Sequence, residues 1–150
     1  MFDRLMLVRE EAELKQSELA NIIKVDRSNI SKWENGKEFI PLRHLNEYAN
    51  HFNVSLDYLL GLSKDRNYHR IINKDIDKKI VGIRLKKIRE KNNLTLRELA
   101  KILNTTSSTL SAYETGKVLI LTSFAYEICF RFNISLDYLC GKVDGILIKL

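Results

Sequence analysis

The sequence predicts an all-α protein built from two similar five-helix domains in tandem. Two observations carry this prediction. Residues 4–61 align with residues 84–141 without a gap, and 24 of the 58 aligned pairs are identical. Apolar residues recur at helical spacing in both copies, and no run alternates as a half-buried strand does. A repeat of about 60 residues is near the smallest length that folds alone, so each copy is a domain rather than one unit of a solenoid.

Glycines and capping residues place the helix boundaries. In the first copy they predict helices over residues 3–13, 16–23, 27–34, 42–52 and 56–60. The second copy repeats these helices 80 residues later. Ser55 and Ser135 are the predicted N-caps of the last helix in each copy. Thr95 and Glu98 have the spacing of a capping box, whereas the first copy has Lys15 in place of the threonine.

The predicted domains span residues 1–63 and 81–143, with a connector over 64–80 and a C-terminal tail over 144–150. Within the connector Ile72, Ile76 and Ile80 recur every four residues, which favours an N-terminal extension of the second copy's first helix. The predicted core of the first copy consists of Leu5, Leu19, Ile30, Leu45, Phe52 and Leu56. The residues 80 positions later are the predicted core of the second copy.

The third helix of the first copy has two chemically different faces. At 100° per residue, Ile30, Trp33 and Glu34 fall on one side. The opposite side carries Arg27, Ser28, Ser31, Lys32 and Asn35. An apolar face fixes such a helix to a core while its polar face enters a groove, and the DNA major groove, about 12 Å wide, admits an α-helix. The pattern therefore predicts double-stranded DNA as a partner.

Three segments of each copy carry a family pattern. In the first copy they are residues 16–20 (QSELA), 30–37 (ISKWENGK) and 52–61 (FNVSLDYLLG). In the second copy they are residues 99–100 (LA), 110–117 (LSAYETGK) and 132–141 (FNISLDYLCG). These segments resemble the Cro/phage-repressor type (xenobiotic-response-element type) of helix-turn-helix domain. The resemblance covers about four-fifths of the chain and implies two lambda-repressor-like domains.

The resemblance also implies roles for individual residues. The expected base contacts come from Asp26, Arg27, Ser28 and Lys32, and more weakly from Thr106, Ser107 and Ser108. The expected phosphate contacts come from Gln16, Asn35, Lys37 and Lys117. The chemistry agrees, because Arg grips guanine O6 and N7 while Asn and Lys hold phosphates. Asp26 is acceptor-only, so it either caps the third helix or accepts from a cytosine amino group.

The second copy has a less basic third helix than the first. Leu96 replaces Gln16, Ser107 replaces Arg27 and Ala112 replaces Lys32, so no cation lies on the outward face of that helix. Its contribution to counterion release on DNA is correspondingly weaker. We therefore expect the first copy to be the main reader and the second to be mainly an interaction or dimerisation module.

The net positive charge of the chain does not lie in the copy whose third helix carries the main predicted base contacts. Residues 1–63 hold eight Lys and Arg against ten Asp and Glu, residues 64–80 hold six against three, and residues 81–150 hold eleven against six. The basic excess of the chain lies in the connector and the second copy. Part of it is a run on the second copy's first helix that a phosphate backbone would attract: Arg84, Lys86, Lys87, Arg89 and Lys91.

Other functional classes have no signature in the sequence. His44, His51 and His69 lack Cys or His neighbours at ligand spacing, so we expect no metal and no cofactor. No catalytic triad or phosphate-binding glycine loop is present, and we predict that the chain is not an enzyme. Cys129 and Cys140 are predicted to be reduced, buried or semi-buried thiols.

The chain has no predicted membrane helix or signal peptide, and no evident small-molecule ligand. Its expected location is therefore the cytoplasm. The ion pairs Arg9 with Glu34 and Arg89 with Glu114 match the family's link between helices one and three, and we expect them to be structural.

Two functional interpretations follow. The first is a sequence-specific transcriptional regulator of repressor type, from a bacterium, phage or mobile element. The alternative is a helical protein-interaction or adaptor module, antitoxin-like or antirepressor-like, with weak or no DNA binding. A connector of about 20 residues spans about 60 Å when extended, more than the roughly 34 Å between successive major-groove faces. One chain is thus expected to act as an intramolecular pseudo-dimer, or two chains as a homodimer.

Overall fold

The computed structural model describes residues 3–67 and 71–145, and within these ranges the regular elements are ten α-helices without a β-strand. The first five helices are α1 (Asp3–Glu11), α2 (Gln16–Ile23), α3 (Arg27–Glu34), α4 (Leu42–Phe52) and α5 (Leu56–Leu59). The second five are α6 (Lys78–Lys91), α7 (Leu96–Ile102), α8 (Ser107–Glu114), α9 (Thr122–Phe132) and α10 (Leu136–Leu139). They form two compact units, which we term domain 1 (residues 3–67) and domain 2 (residues 71–145). The predicted fold class, two five-helix domains in tandem, is confirmed.

Local capping explains most helix ends. The backbone N–H of Tyr58 donates to Ser55 Oγ at 2.9 Å, and that of Tyr138 donates to Ser135 Oγ at 3.1 Å, so both predicted N-caps are confirmed. Thr95 and Glu98 exchange two bonds of 3.0 and 3.1 Å, the predicted capping box. Domain 1 has only half of that box. The Lys15 ammonium group cannot accept a hydrogen bond, so only the backbone N–H of Lys15 takes part, donating to Glu18 Oε1 at 2.9 Å.

The ends of the first helices differ from the prediction. Helix α1 ends at Glu11, two residues early, because the chain turns at Glu13 with φ of 58°. Asn93 makes the same left-handed turn after α6, with φ of 57°. At its other end α6 begins at Lys78, with Asp77 as its N-cap. The helix therefore extends N-terminally as predicted, but it includes only Ile80 of the three connector isoleucines.

Each domain has its own apolar core. Five of the six predicted core residues in domain 1 are fully buried: Leu5, Leu19, Ile30, Leu45 and Leu56. Their counterparts Leu85, Leu99, Leu110, Ala125 and Leu136 are buried in domain 2. The prediction for Phe52 was wrong, because Phe52 and its counterpart Phe132 are only half-buried. Each is the last residue of its helix, and the chain turns away at the following asparagine, which has positive φ.

An arginine in the first helix of each domain holds the last helix against it. Arg4 Nη1 donates to the carbonyl oxygen of Tyr58 at 2.7 Å and also to that of Ser63. Arg84 Nη1 donates to the carbonyl oxygens of Tyr138 and of Val143, the latter at 2.8 Å. Each guanidinium also lies 4.3 Å from the centroid of the tyrosine ring below it. The Arg84 side chain is therefore engaged in the fold and does not belong to an open basic stripe.

The connector is folded onto the domains at both ends. The N–H of Ser55 donates to the carbonyl oxygen of Arg66 at 2.8 Å, and the Arg66 guanidinium pairs with Glu11 at 2.7 Å. The N–H of Ile72 donates to the carbonyl oxygen of Lys142 at 2.8 Å. The described residues of the connector are therefore not a free extended chain, which the predicted reach of about 60 Å requires.

The N-terminal part of α6 packs closely on the end of α8. A Cβ atom at Gly82 would lie 2.5 Å from the carbonyl oxygens of both Tyr113 and Glu114, so only glycine permits this approach. Gly116, in the turn after α8, is buried, and a Cβ there would lie 3.0 Å from the Cα of Lys79. The equivalent Gly36 of domain 1 is exposed. The extra helical turn thus covers one side of the α8–α9 turn.

We expect Gly82→Ala to destabilise the protein by about 1–3 kcal/mol, because the added methyl group meets two backbone carbonyls that cannot rotate away. The better helix propensity of alanine, worth up to about 1 kcal/mol, does not compensate. Urea unfolding followed by far-UV circular dichroism measures the change. Gly145→Ala is the control, since a Cβ at Gly145 meets no atom within 4 Å. A more stable Gly82→Ala variant would contradict the close approach.

Candidate nucleic-acid interface

Helices α2 and α3 form a helix-turn-helix unit with one buried and one exposed side. They are joined by a turn in which Lys24 has a left-handed conformation, with φ of 58°. On α3 the side chains of Ile30, Trp33 and Glu34 are buried, and the Trp33 ring stacks on His44 with centroids 5.4 Å apart. Ser31 is half-buried, and the outward side exposes Arg27, Ser28, Lys32 and Asn35. The predicted division of the α3 faces is confirmed.

Glu34 connects three helices at the back of α3. Its carboxylate accepts from Arg9 Nε at 2.5 Å and from Arg9 Nη2 at 3.0 Å, and Arg9 Nη1 donates to the Leu14 carbonyl oxygen at 2.8 Å. The hydrogen bond to Glu34 is the main cause that raises the pKa of Arg9. Gln16 Nε2 also donates to Glu34 Oε2, at 2.9 Å. The pair is therefore structural, and its bonds fix α1, α2 and α3 in register.

Gln16, a predicted phosphate contact, is positioned by this network. Its side-chain nitrogen carries two hydrogens, of which the bond to Glu34 uses one. The residue is half-buried at the first position of α2, where backbone N–H groups of the first helical turn also lack helical partners. Its contact with phosphate stays a prediction. The bond to Glu34 fixes the side-chain amide that would make this contact.

The remaining predicted contacts of domain 1 lie on the exposed side. Asp26 occupies the N-cap position of α3, but its side chain makes no capping hydrogen bond, so the capping alternative was wrong. Lys32 Nζ pairs with Glu38 at 3.4 Å, and both side chains are about half exposed. Such a surface pair is weak and exchanges readily for another anion. Asn35 Nδ2 donates to Ser31 Oγ at 3.2 Å, and Lys37 is exposed.

The corresponding surface of domain 2 is neutral along α8. Thr106 caps that helix: its hydroxyl accepts from the N–H of Thr109 at 3.1 Å and lies 2.9 Å from Thr109 Oγ1. This bonding reduces the capacity of Thr106 to contact a base, the role predicted for it. Ser107 is half-buried and Ser108 is exposed, and their base contacts stay predictions. Arg89 pairs with Glu114 at 2.7 and 3.0 Å, which repeats the structural ion pair of domain 1.

Sequence reasoning missed two groups of cations next to α8. Arg97 and Lys101 of α7 line a shallow depression of about 430 Å³ together with Thr106 and Ser107. Lys78 Nζ donates to the carbonyl oxygen of Lys117 at 3.2 Å. The predicted contacts of domain 2 lay on α8 and at Lys117, whereas the i, i+4 spacing of Arg97 and Lys101 on α7 was the available signal for the first group.

Within residues 3–67 and 71–145, no group of His, Cys, Asp and Glu side chains is placed to hold a metal ion. Cys129 and Cys140 are buried thiols, as predicted. None of the described helices is long and apolar enough to cross a membrane.

The sequence pattern of the Helix-turn-helix domain family matches residues 3–63 and, a second time, residues 82–145. The chain therefore belongs to the helix-turn-helix domain family, with two domains of the Cro/phage-repressor type in tandem. Members of this class regulate transcription by binding DNA.

Among solved structures, the chain is similar to the clp gene regulator ClgR from Corynebacterium glutamicum. The match has 24% sequence identity and a TM-score of 0.39, and it covers 41% of this chain and 66% of that chain. A comparison with curated proteins gave no match.

We expect Glu34→Ala to lower the stability of domain 1 by about 3–5 kcal/mol, because it leaves the Arg9 guanidinium buried without its partner. Trp33 is the sole tryptophan of the chain, so denaturant unfolding followed by tryptophan fluorescence reports on domain 1. Glu114→Ala is the matched control, since it breaks the same pair in domain 2. An unchanged Trp33 transition in Glu34→Ala would show that the pair does not hold α3.

Proposed function

We propose that this chain is a sequence-specific DNA-binding transcription regulator of bacterial, phage or mobile-element type, with domain 1 as its main reader. The observation that carries the proposal is the exposed polar face of α3, backed by a buried apolar face and by the Arg9–Glu34–Gln16 network. A helix fixed in this way presents its side chains to the major groove with little loss of conformational freedom. The recognition step then costs less ordering entropy.

The first residues of α3 are the proposed base readers. The Arg27 guanidinium has the fork geometry that binds guanine O6 and N7, and its side chain is exposed at the first position of the helix. The neighbouring Asp26 carboxylate makes no capping bond and has the acceptors that a cytosine amino group requires. Adjacent acidic and basic readers of this kind favour a G·C pair or step in the operator. Ser28 and Lys32 complete the reading face.

Phosphate contacts on either side of α3 are the second part of the proposal. Gln16 lies at the start of α2, and Asn35 and Lys37 lie in the turn after α3. Contacts of this type set the register of the helix on the duplex without reading sequence. We propose that one chain occupies an asymmetric site, as an intramolecular pseudo-dimer would, rather than two chains on a palindrome.

Selection of bound duplexes from random DNA, with the full chain at fixed near-physiological salt, tests the function. We expect one enriched asymmetric motif, and Arg27→Ala should weaken binding to it by about 1–3 kcal/mol with little change for a shuffled duplex. Lys64→Ala removes one exposed charge outside α2 and α3 and is the control. Absence of any enriched motif, or an Arg27→Ala variant that binds the motif normally, would refute domain 1 as the reader.

A second candidate function is supported by an aromatic pair on α9. The rings of Tyr126 and Phe130 are stacked with centroids 6.1 Å apart, and Phe130 is 68% exposed. Domain 1 has the polar residues Asn46 and Asn50 at these positions. Tyr126 is half-buried, and the exposed Phe130 ring stacked on it is typical of protein interfaces, which favours self-association through domain 2 or an adaptor role.

We expect the double variant Tyr126→Asn and Phe130→Asn to separate the two functions, because it restores the side chains that domain 1 carries. If domain 2 is an interaction module, sedimentation velocity should show a dimer for the native chain and a monomer for the variant. The DNA affinity per chain should be unchanged in both. A native chain that remains monomeric at tens of micromolar would exclude homodimerisation.

A further inference from the structure

The exposed cations of domain 2 lie at the two ends of α8 rather than along it. At its N-terminal end, Arg97 and Lys101 border the depression that Thr106 and Ser107 complete. These two cations are one helical turn apart on α7, so both face the same edge of the depression. Domain 1 has Ser17 and Asn21 at the corresponding positions, and its cations lie on α3 instead.

The C-terminal end of α8 is surrounded by three lysines. The extra turn of α6 places Lys79 against Gly116, and Lys78 Nζ bonds to the carbonyl oxygen of Lys117. In domain 1 the described part of the first helix begins at Asp3, the position that corresponds to Ile83. Glu38, which follows Lys37 in domain 1, is replaced by Val118 after Lys117. The turn after α8 is thereby more basic than the turn after α3.

The acidic side chains beside these cations already have partners. Glu98 accepts from the N–H of Thr95 at 3.0 Å, and Asp77 accepts from the N–H of Lys79 at 2.9 Å. Glu114 is held by Arg89. Glu98 and Asp77 keep their negative charge as caps, but each is outnumbered by the cations beside it, two at the N-terminal end of α8 and three at the C-terminal end. Both ends are therefore net positive and attract an external anion.

We propose that domain 2 binds the DNA backbone without reading sequence, through Arg97 and Lys101 at one end of α8 and Lys78, Lys79 and Lys117 at the other. The ligand is the phosphate groups on the two sides of a major groove. An eight-residue helix is about 12 Å long, which matches the width of that groove of about 12 Å. The neutral serine- and threonine-rich face of α8 then lies over the groove. The inference rests on the proposed function, since domain 1 supplies the sequence preference.

The test uses the full chain with charge-neutralising variants that keep the side-chain stems. One variant carries Arg97→Gln and Lys101→Gln, and a second carries Lys78→Gln and Lys79→Gln. The matched control carries Lys64→Gln and Arg131→Gln, because both side chains are exposed and lie outside α7, α8 and the first turn of α6. Fluorescence anisotropy measures affinity for the selected duplex and for a shuffled duplex over a range of salt concentrations. Far-UV circular dichroism checks that each variant is folded.

We expect each test variant to lose affinity for both duplexes by the same factor and to lower the salt slope by about 2, one for each phosphate contact removed. The control should keep the native slope. A variant that carries Arg97→Lys alone keeps the positive charge and should retain most of the native affinity for both duplexes. Unchanged salt slopes in both folded test variants would overturn the inference. So would a loss confined to the selected duplex, or an equal loss in the control.

The failure of this inference differs from the failure of the proposed function. If Arg27→Ala abolishes sequence preference while both test variants bind as the native chain does, domain 2 does not hold the backbone and domain 1 alone is the reader. If no duplex is preferred, the proposed function fails, and the salt slopes still decide whether domain 2 binds phosphate.

Discussion

The buried bond between the first and third helix is the interaction on which the rest of each domain depends. In domain 1 the Arg9 guanidinium and the Glu34 carboxylate meet through two parallel hydrogen bonds, and the Glu34 side chain is 1% exposed. Burying two charges is favourable only when their hydrogen bonds are satisfied. The Leu14 carbonyl and the Gln16 amide supply the additional bonds. Because Glu34 is the last residue of α3, this network fixes the orientation of the reading helix.

The two domains share the contacts made by two arginines of the first helix, which we term the frame. They differ in the surface around it. Arg84 and Arg89 repeat the contacts of Arg4 and Arg9 with nearly the same distances. Around the frame, domain 1 carries cations on its third helix, whereas domain 2 carries them on neighbouring helices and exposes the aromatic ring of Phe130. The proposed difference in function between the domains rests on these surfaces.

Much of the fold was predictable because its determinants are local. Caps and amphipathic spacing gave the bounds of α2, α3 and α4 to the residue. Two features were missed because they depend on contact between distant parts of the chain. Gly82 packs against the end of α8, and Ile72 bonds to Lys142. No local pattern marks either contact.

The candidate site was predictable in part for the same reason. The two faces of α3 follow from helical periodicity, but the hydrogen bonds of individual side chains do not. Thr106 and Asp26 occupy equivalent N-cap positions, yet only the threonine makes the capping bond. Lys142 takes the position of Leu62, and its burial lowers its pKa to about 8. Sequence alone would place that lysine in solvent.

The attachment of the connector at Arg66 and Ile72 has a consequence for avidity. If domain 1 binds DNA as proposed, covalent linkage holds domain 2 near the same duplex, and a short linker gives an effective concentration of the order of millimolar. Non-specific affinities of helix-turn-helix surfaces for DNA have dissociation constants of about 10⁻⁴ to 10⁻⁶ M. At millimolar local concentration such a weak contact is occupied most of the time. Under the two proposals, a second domain without sequence preference lengthens the residence of the whole chain on its operator, and it leaves the choice of operator to the first.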